Sequence, residues 1–169
     1  MSQSTQQHRS EAPKAVRCAV ITVSDTRTLD TDRGGKMLEE SLVGAGHAVV
    51  RREIVPDDQT RIRSLIEELT DATALDAILI TGGTGIAARD QTFETVSSML
   101  TKTLPGYGEL FRMFSYEDIG PAAMLSRTIG GVIGQVVLLT MPGSPAAVRL
   151  ALDKLILPEL AHVCYEARK

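Results

Sequence analysis

The chain has 169 residues, an apolar fraction of 43% and a net charge of −3 with a pI near 5.6. That length fits one domain with ample side chains for a core, and the acidic balance, with no run of five or more Lys and Arg, argues against nucleic acid as a partner. No stretch approaches 18 consecutive apolar residues and the Gln/Ser-rich start has no apolar signal core, so neither a membrane span nor secretion is expected.

Cys18 and Cys164 are the two cysteines, too few for a disulfide framework or a four-cysteine metal site, which suits a reducing cytoplasm. Residues 1–14 carry no large apolar side chain after Met1 and read as a disordered tail, leaving 15–169 as a single domain. The run Val16 to Val23 is β-branched and almost continuously apolar, as in a strand buried on both faces. It ends at Ser24-Asp25-Thr26, residues that suit either a ligand edge or a plain turn.

Asp30 to Gly35 reads as a polar turn, after which Met37, Leu38, Ser41, Leu42 and Ala45 recur at helical spacing until Gly46. A strand is predicted over Ala48 to Val55. Pro56-Asp57-Asp58 stops it and caps a helix whose Ile62, Leu65, Ile66 and Leu69 form one apolar face. Asp57 can be that N-cap or a chemical group.

Asp76 to Thr81 is the third buried strand, and it feeds Gly82-Gly83-Thr84-Gly85 and then Asp90. Glycines here let main-chain N–H groups approach an anion, and a carboxylate beside a polyphosphate calls for a divalent cation between them. An ordinary strand-to-helix turn is the competing reading. No Lys-Ser/Thr pair closes the loop, which excludes a Walker A motif. Gly83, Gly85 and Ala88 fit a permissive dinucleotide fingerprint, yet the region 97–103 is no strand end carrying the required acid. Strands alternating with helices imply βαβ crossovers, a parallel sheet and sites at the strand C-termini, where Ser24-Asp25, Asp57 and 82–90 all fall.

Further along, Thr92 to Lys102 reads as a helix, and Gly106 to Phe114 as another in which Glu109 and Arg112 stand at i, i+3 and could simply pair. The glycines of 128–135 suggest a hairpin into the buried strand Val136 to Met141. Pro142-Gly143-Ser144-Pro145 then opens a long helix with Ser144 as N-cap, which Pro158 should kink or break. His47 and His162 have no ligand-like neighbours in sequence and read as surface or packing residues.

Six motifs in fixed order, Val23-Ser24-Asp25, Pro56-Asp57-Asp58, Thr81 to Gly85 with Arg89 to Thr92, Pro105 to Glu109, Leu125-Ser126-Arg127 and Met141 to Pro145, resemble the MogA/MoaB molybdopterin-binding family, with its MoaB branch the better match. The resemblance spans about residues 16–161. It implies a three-layer, doubly wound, mostly parallel α/β domain with helices on both faces and a small β-hairpin, assembled as trimers or hexamers. It also implies Mg-ATP-dependent adenylylation of molybdopterin, giving adenylyl-molybdopterin and pyrophosphate, alongside other molybdenum cofactor proteins. A non-catalytic pterin-binding or carrier module is the second reading. By position, Asp57 and Asp90 match the acidic pair associated with Mg²⁺ and adenylyl transfer, and Gly82, Gly83, Thr84 and Gly85 match the nucleotide and pterin phosphate loop. Glu109 matches the acid of a G-F-G-E motif, and Pro142, Gly143 and Ser144 match a second ligand loop. Ser24, Asp25, Ser126 and Arg127 match less sharply defined pocket positions. The chain departs from the family's usual R-D-V-T-P at Gln91 and Phe93.

Overall fold

The computed structural model describes residues 12–72 and 74–169, so the greater part of the expected N-terminal tail, residues 1–11, lies outside the described residues. Six strands form one sheet in the order β2-β1-β3-β6-β5-β4. Four of them, β1 (Arg17–Val23), β2 (Ala48–Val55), β3 (Ala77–Thr81) and β6 (Val136–Met141), run parallel. The strands β5 (Gly130–Ile133) and β4 (Lys102–Thr103) add an antiparallel edge.

Period-two alternation along the central strands sorts the core into two layers. Cys18, Val20, Leu79, Val137 and Leu139 pack with Leu38, Leu42, Phe111, Val148 and Leu152 on one face. Ala19, Ile21, Ile78, Ile80 and Leu138 pack with Ile62, Leu65, Ile66, Leu69 and Val96 on the other. Helices α1 (Arg33–Gly44), α4 (Pro105–Ile119), α5 (Pro145–Ala151) and α6 (Leu157–Ala167) therefore cover the first face, and α2 (Gln59–Ala72) with α3 (Thr92–Met99) cover the second. This is the expected three-layer α/β arrangement with its hairpin. Fully burying a side chain such as Ile78 or Leu79 contributes about 1.5–3 kcal/mol, and truncating either to alanine would cost about 2–5 kcal/mol.

Several boundaries differ from the sequence reading for identifiable reasons. α1 begins inside the expected turn because Asp32 is its N-cap, its carboxylate accepting from the Gly35 N–H at 2.9 Å. α3 stops at Met99, since Leu100 is extended and the chain pairs Lys102 and Thr103 with β5 instead. α4 runs on to Ile119 and passes into a 3₁₀ turn, Gly120–Leu125. The last helix does not break at Pro158: a π-helical turn at Leu152–Ile156 intervenes, and the proline falls in the first turn of α6, where its missing N–H costs least. His47 accepts from the Val16 N–H at 3.4 Å and burial pushes its pKa down, while His162 bonds Glu159 on its own helix.

Candidate active site

The parallel strands β1, β2, β3 and β6 all end on one edge, and the loops that follow them meet there. Gly82 and Gly83 leave β3 at φ of 103° and 63°, a region where an L side chain is strained. Space forbids a side chain too: a Cβ on Gly82 would lie 2.3 Å from the Val23 carbonyl oxygen, and one on Gly83 would lie 2.1 Å from the Thr92 hydroxyl. The β6 loop closes against this turn, with Thr81 Oγ1 donating to the Pro142 carbonyl at 3.1 Å and Gly143 set beside Gly82.

Three carboxylates converge over the glycine turn. A polar cavity of about 140 Å³ is lined by Ser24, Asp25, Asp57, Gly83, Arg89 and Asp90, among others. Asp25 Oδ1 accepts the Asp57 N–H at 3.0 Å, Asp57 Oδ1 accepts the Gln91 N–H at 3.0 Å, and Asp90 Oδ2 accepts the Ala87 N–H at 2.8 Å. Asp58, not Asp57, caps α2, its Oδ1 accepting the Arg61 N–H at 2.9 Å. Asp57 is thereby released from the capping role open to it in the sequence and turned towards Asp90. Burial, and after it the charges of Asp90 and Asp25, raise its pKa against the opposing bond from Gln91.

The other residues singled out in the sequence divide into groups. Ser24 accepts from the N–H groups of Thr26 and Arg27 and shapes the β1 turn. Ser144 caps α5 by accepting the Ala147 N–H at 3.2 Å. Arg127 spends its guanidinium on the glycine loop, donating to the Gly85 carbonyl at 2.7 Å and the Asp90 carbonyl at 3.0 Å, pairing with Glu94 and stacking on Phe93 at 5.3 Å; its own N–H donates to the Thr84 carbonyl at 3.1 Å. Glu109 is not brought to the carboxylate cluster. It lines a second cavity of about 300 Å³ with Phe93, Arg112 and Thr128. The expected Glu109–Arg112 pair gives way to Arg112 donating to the carbonyls of Ser126 and Thr128, while Ser126 Oγ bonds Thr128 Oγ1 at 2.6 Å. Phe93, on which Arg127 stacks, lines the second cavity.

Two residues escaped the sequence reading. Arg89 is a cation lining the carboxylate cavity, and its place in the Arg89-Asp90 pair was the only signal for it. Arg27 spans from the β1 turn to the β6 loop, donating to the Gly143 carbonyl at 3.1 Å with Asp32 3.9 Å away. No pattern in the sequence pairs positions 27 and 143.

The donor set can be tested against Mg²⁺. Among the described residues no three His, Cys, Asp or Glu side chains are grouped to hold a metal. Asp57 and Asp90, each with one oxygen engaged by a backbone N–H, present the pattern Mg²⁺ takes when one or two carboxylates hold it together with water and substrate phosphates. Burial is the main reason Asp57 is raised, and the like charges of Asp90 and Asp25 that add to it are what a cation would relieve. The residues fit.

Comparison with known proteins gives the family. A family profile described as a probable molybdopterin binding domain matches residues 19–162. The molybdenum cofactor biosynthesis protein B of Bacillus cereus is 52% identical over 167 residues, covering 98% of this chain and 99% of that one. A crystal structure of a molybdenum cofactor biosynthesis protein B superposes with a TM-score of 0.89 at 54% identity, over 93% of this chain and 98% of the other. The tungsten cofactor synthesizing protein MoaB of Pyrococcus furiosus superposes with a TM-score of 0.82 at 38% identity, over 94% and 100%. With the motifs, the fold and these likenesses in agreement, the chain belongs to the MogA/MoaB family of molybdenum cofactor biosynthesis proteins, on its MoaB side.

Proposed function

We propose that the chain catalyses Mg-ATP-dependent adenylylation of molybdopterin. The observation that carries the reading is the meeting of Asp57 and Asp90 over a glycine turn that no side chain can fill. In this reaction an oxygen of the pterin's terminal phosphate attacks the α-phosphorus of ATP. A new P–O bond forms, the bond to the β-phosphate oxygen breaks, and pyrophosphate leaves with the electron pair. Asp57 and Asp90 would hold Mg²⁺, whose chemistry is to offset the charge that accumulates on the phosphates. Gly82, Gly83, Thr84 and Gly85 bring main-chain dipoles close to the phosphates, while Arg89 adds a positive charge at the cavity wall. Asp25 fixes the Asp57 backbone, and Arg127 holds the loop rigid by gripping Gly85 and Asp90. Pro142, Gly143 and Ser144 would wall the site on the β6 side, where Gly143 sits beside Gly82. The second cavity, with Glu109 and the Ser126 segment, is then the seat of the pterin. Catalysis on this account is mainly positioning and charge compensation.

Incubating the pure protein with molybdopterin, ATP and Mg²⁺ is expected to release pyrophosphate in step with adenylyl-pterin. No release at any Mg²⁺ concentration would sink the reading. One observation favours the alternative of a non-catalytic pterin carrier: Arg127 is committed to the loop, which leaves Arg89 as the cavity's cation for a triphosphate. Tight pterin binding without ATP binding would decide for the carrier.

Assembly as trimers or hexamers belongs to the same proposal. Leu110, Met113 and Tyr116 of α4 are exposed at helical spacing, a stripe suited to burial between copies. Light scattering that gives a monomer at micromolar protein would refute it. A reducing cytoplasm, shared with other molybdenum cofactor proteins, suits the two free, buried cysteines.

A further inference from the structure

Among the described residues, the buried side-chain atoms with no hydrogen-bond partner are Arg52 Nε, Thr92 Oγ1 and Tyr107 Oη. A buried hydroxyl left unpaired is destabilising, and natural structures keep few of them, so each calls for a reason. Arg52 is otherwise well bonded, to Asp32, Glu39 and the Leu29 carbonyl. Tyr107 lies in the core with Phe111 and Leu139. Thr92 differs in its surroundings, because it is the one of the three that abuts the candidate active site.

Thr92 is fully buried at the start of α3, and its N–H donates to the Gly83 carbonyl at 3.2 Å. A Cβ built on Gly83 would fall 2.1 Å from Thr92 Oγ1 and 2.8 Å from Asp57 Oδ2. Both oxygens thus face the bare Cα of Gly83 from within a single carbon's reach. Asp57 Oδ1 is already held by the Gln91 N–H, one residue before Thr92. The second carboxylate oxygen and the spare hydroxyl are therefore complementary, an acceptor and a donor across one glycine. The last torsion of an aspartate is broad and soft, which leaves the carboxylate room to turn its second oxygen towards the hydroxyl.

We propose that Thr92 is a positioning residue for Asp57, its hydroxyl bonding the second oxygen of the carboxylate when the ligands are in place. The α3 start then grips Asp57 at both oxygens, by the Gln91 N–H and the Thr92 O–H, and fixes the direction of its remaining lone pairs. The unpaired hydroxyl is a cost carried by the free protein for geometry needed in the complex. This inference rests on the reading of Asp57 as part of the Mg-ATP site.

The test compares wild type, Thr92→Val, Thr92→Ser, Asp57→Asn and the Asp57→Asn/Thr92→Val double variant in Mg²⁺-dependent ATP binding, in pyrophosphate release and in thermal melts without ligand. Valine keeps the shape and β-branching of threonine and removes only a hydroxyl that has no partner, so Thr92→Val is expected to melt at or above the wild-type temperature. Its turnover is expected to fall about tenfold, while serine restores it to within about twofold. In the Asp57→Asn background the valine change is expected to add less than about twofold, since the group it orients has gone. Wild-type turnover in Thr92→Val overturns the inference, as does a marked drop in its melting temperature, which would mean the hydroxyl is bonded in the free fold. Full additivity with Asp57→Asn overturns it also, by showing that Thr92 acts on something else. A wild-type protein that neither binds Mg-ATP nor releases pyrophosphate brings down the functional reading, and this inference with it. A working wild type beside an unimpaired Thr92→Val brings down this inference alone.

Discussion

Carboxylates at the two edges of the sheet are treated in opposite ways. At the edge where the strands begin, Asp76 is nearly buried and fully engaged, accepting the Arg17 N–H at 2.5 Å and pairing with Arg168. At the edge where they end, Asp57 and Asp90 each hold one backbone N–H, and Asp57 feels the like charges of Asp90 and Asp25 with Arg89 opposing them. A structural carboxylate is matched with a cation from its own chain. At the proposed ligand edge the cation nearby is Arg89, which only partly opposes the burial and like charges around Asp57, and on the proposed function a bound cation supplies the rest of the compensation.

The strongest way to break this contrast is to remove the charges at the ligand edge. Asp90→Asn and Asp57→Asn keep shape and the backbone hydrogen bond, so pyrophosphate release is expected to fall about a hundredfold or more while melting temperatures hardly move. Either variant with normal turnover across a Mg²⁺ titration would return that residue to a turn-forming role. The complementary change, Asp76→Asn, should leave turnover alone and lower stability by about 2 kcal/mol, because it strips the partner from Arg168 and weakens the bond to Arg17. Urea denaturation checks it; an unchanged midpoint would mean that the opposite edge is not held by Asp76.

The strand ends and the residues gathered there were legible in the sequence, the pairing of Asp76 with Arg168 was not, and the gaps have a physical origin. The strands β1, β3 and β6 declared themselves because strands buried on both faces must be continuously apolar. Their C-terminal ends followed from the alternation with helices, and so did the edge that carries the candidate site. What could not be read is which of two adjacent carboxylates takes which task. Asp57 and Asp58 are equally able to cap a helix, and only the backbone direction leaving β2 gives Asp58 the Arg61 N–H and Asp57 the Gln91 N–H. Arg112 likewise had a plausible partner one turn away in Glu109 and instead found carbonyls brought in from Ser126 and Thr128, a choice made by tertiary approach. Arg27 and Gly143 meet across 116 residues for the same reason.

A finer test uses pH. Burial and like charges raise Asp57 above its ordinary 3.8, so the folded protein holds that proton more tightly than the unfolded chain does. The favourable contribution is complete below pH 3.8 and is lost as pH rises through the folded value, leaving wild type at neutral pH with a small penalty. Asp57→Asn never titrates. It is expected to melt slightly above wild type at pH 7, with the gap closing towards pH 4, and Mg²⁺ should raise the wild-type temperature alone. A gap that does not change with pH would place the destabilisation elsewhere.

The smallest expected effect at neutral pH belongs to the opposite edge. Cys18 and Cys164 are buried beside Asp76, the Cys164 thiol 3.5 Å from the Asp76 carbonyl oxygen. Burial pushes both thiols up to about 12; the charge of Asp76 adds to the rise at Cys18, and Cys18 and then Asp76 add to it at Cys164 against the opposing charge of Arg168. Thiolate is the reacting species, so neither cysteine should be alkylated by iodoacetamide in the native protein at pH 8, whereas both should react once urea unfolds it. Stability has a matching signature. A thiol raised in the fold favours the folded state below the ordinary value of 9.0, and that contribution drains away as pH climbs from 9.0 towards 12. Midpoints of urea unfolding are thus expected to be flat from pH 7 to 8.5 and to fall above pH 9, with the fall reduced in Cys18→Ala after allowance for the cavity it leaves. Because Asp76 contributes to the rise, Asp76→Asn should soften the same alkaline slope without touching the acid-side behaviour that belongs to Asp57. Rapid alkylation of the native protein at pH 8 would mean that this edge opens to solvent far more readily than its bonded carboxylate implies.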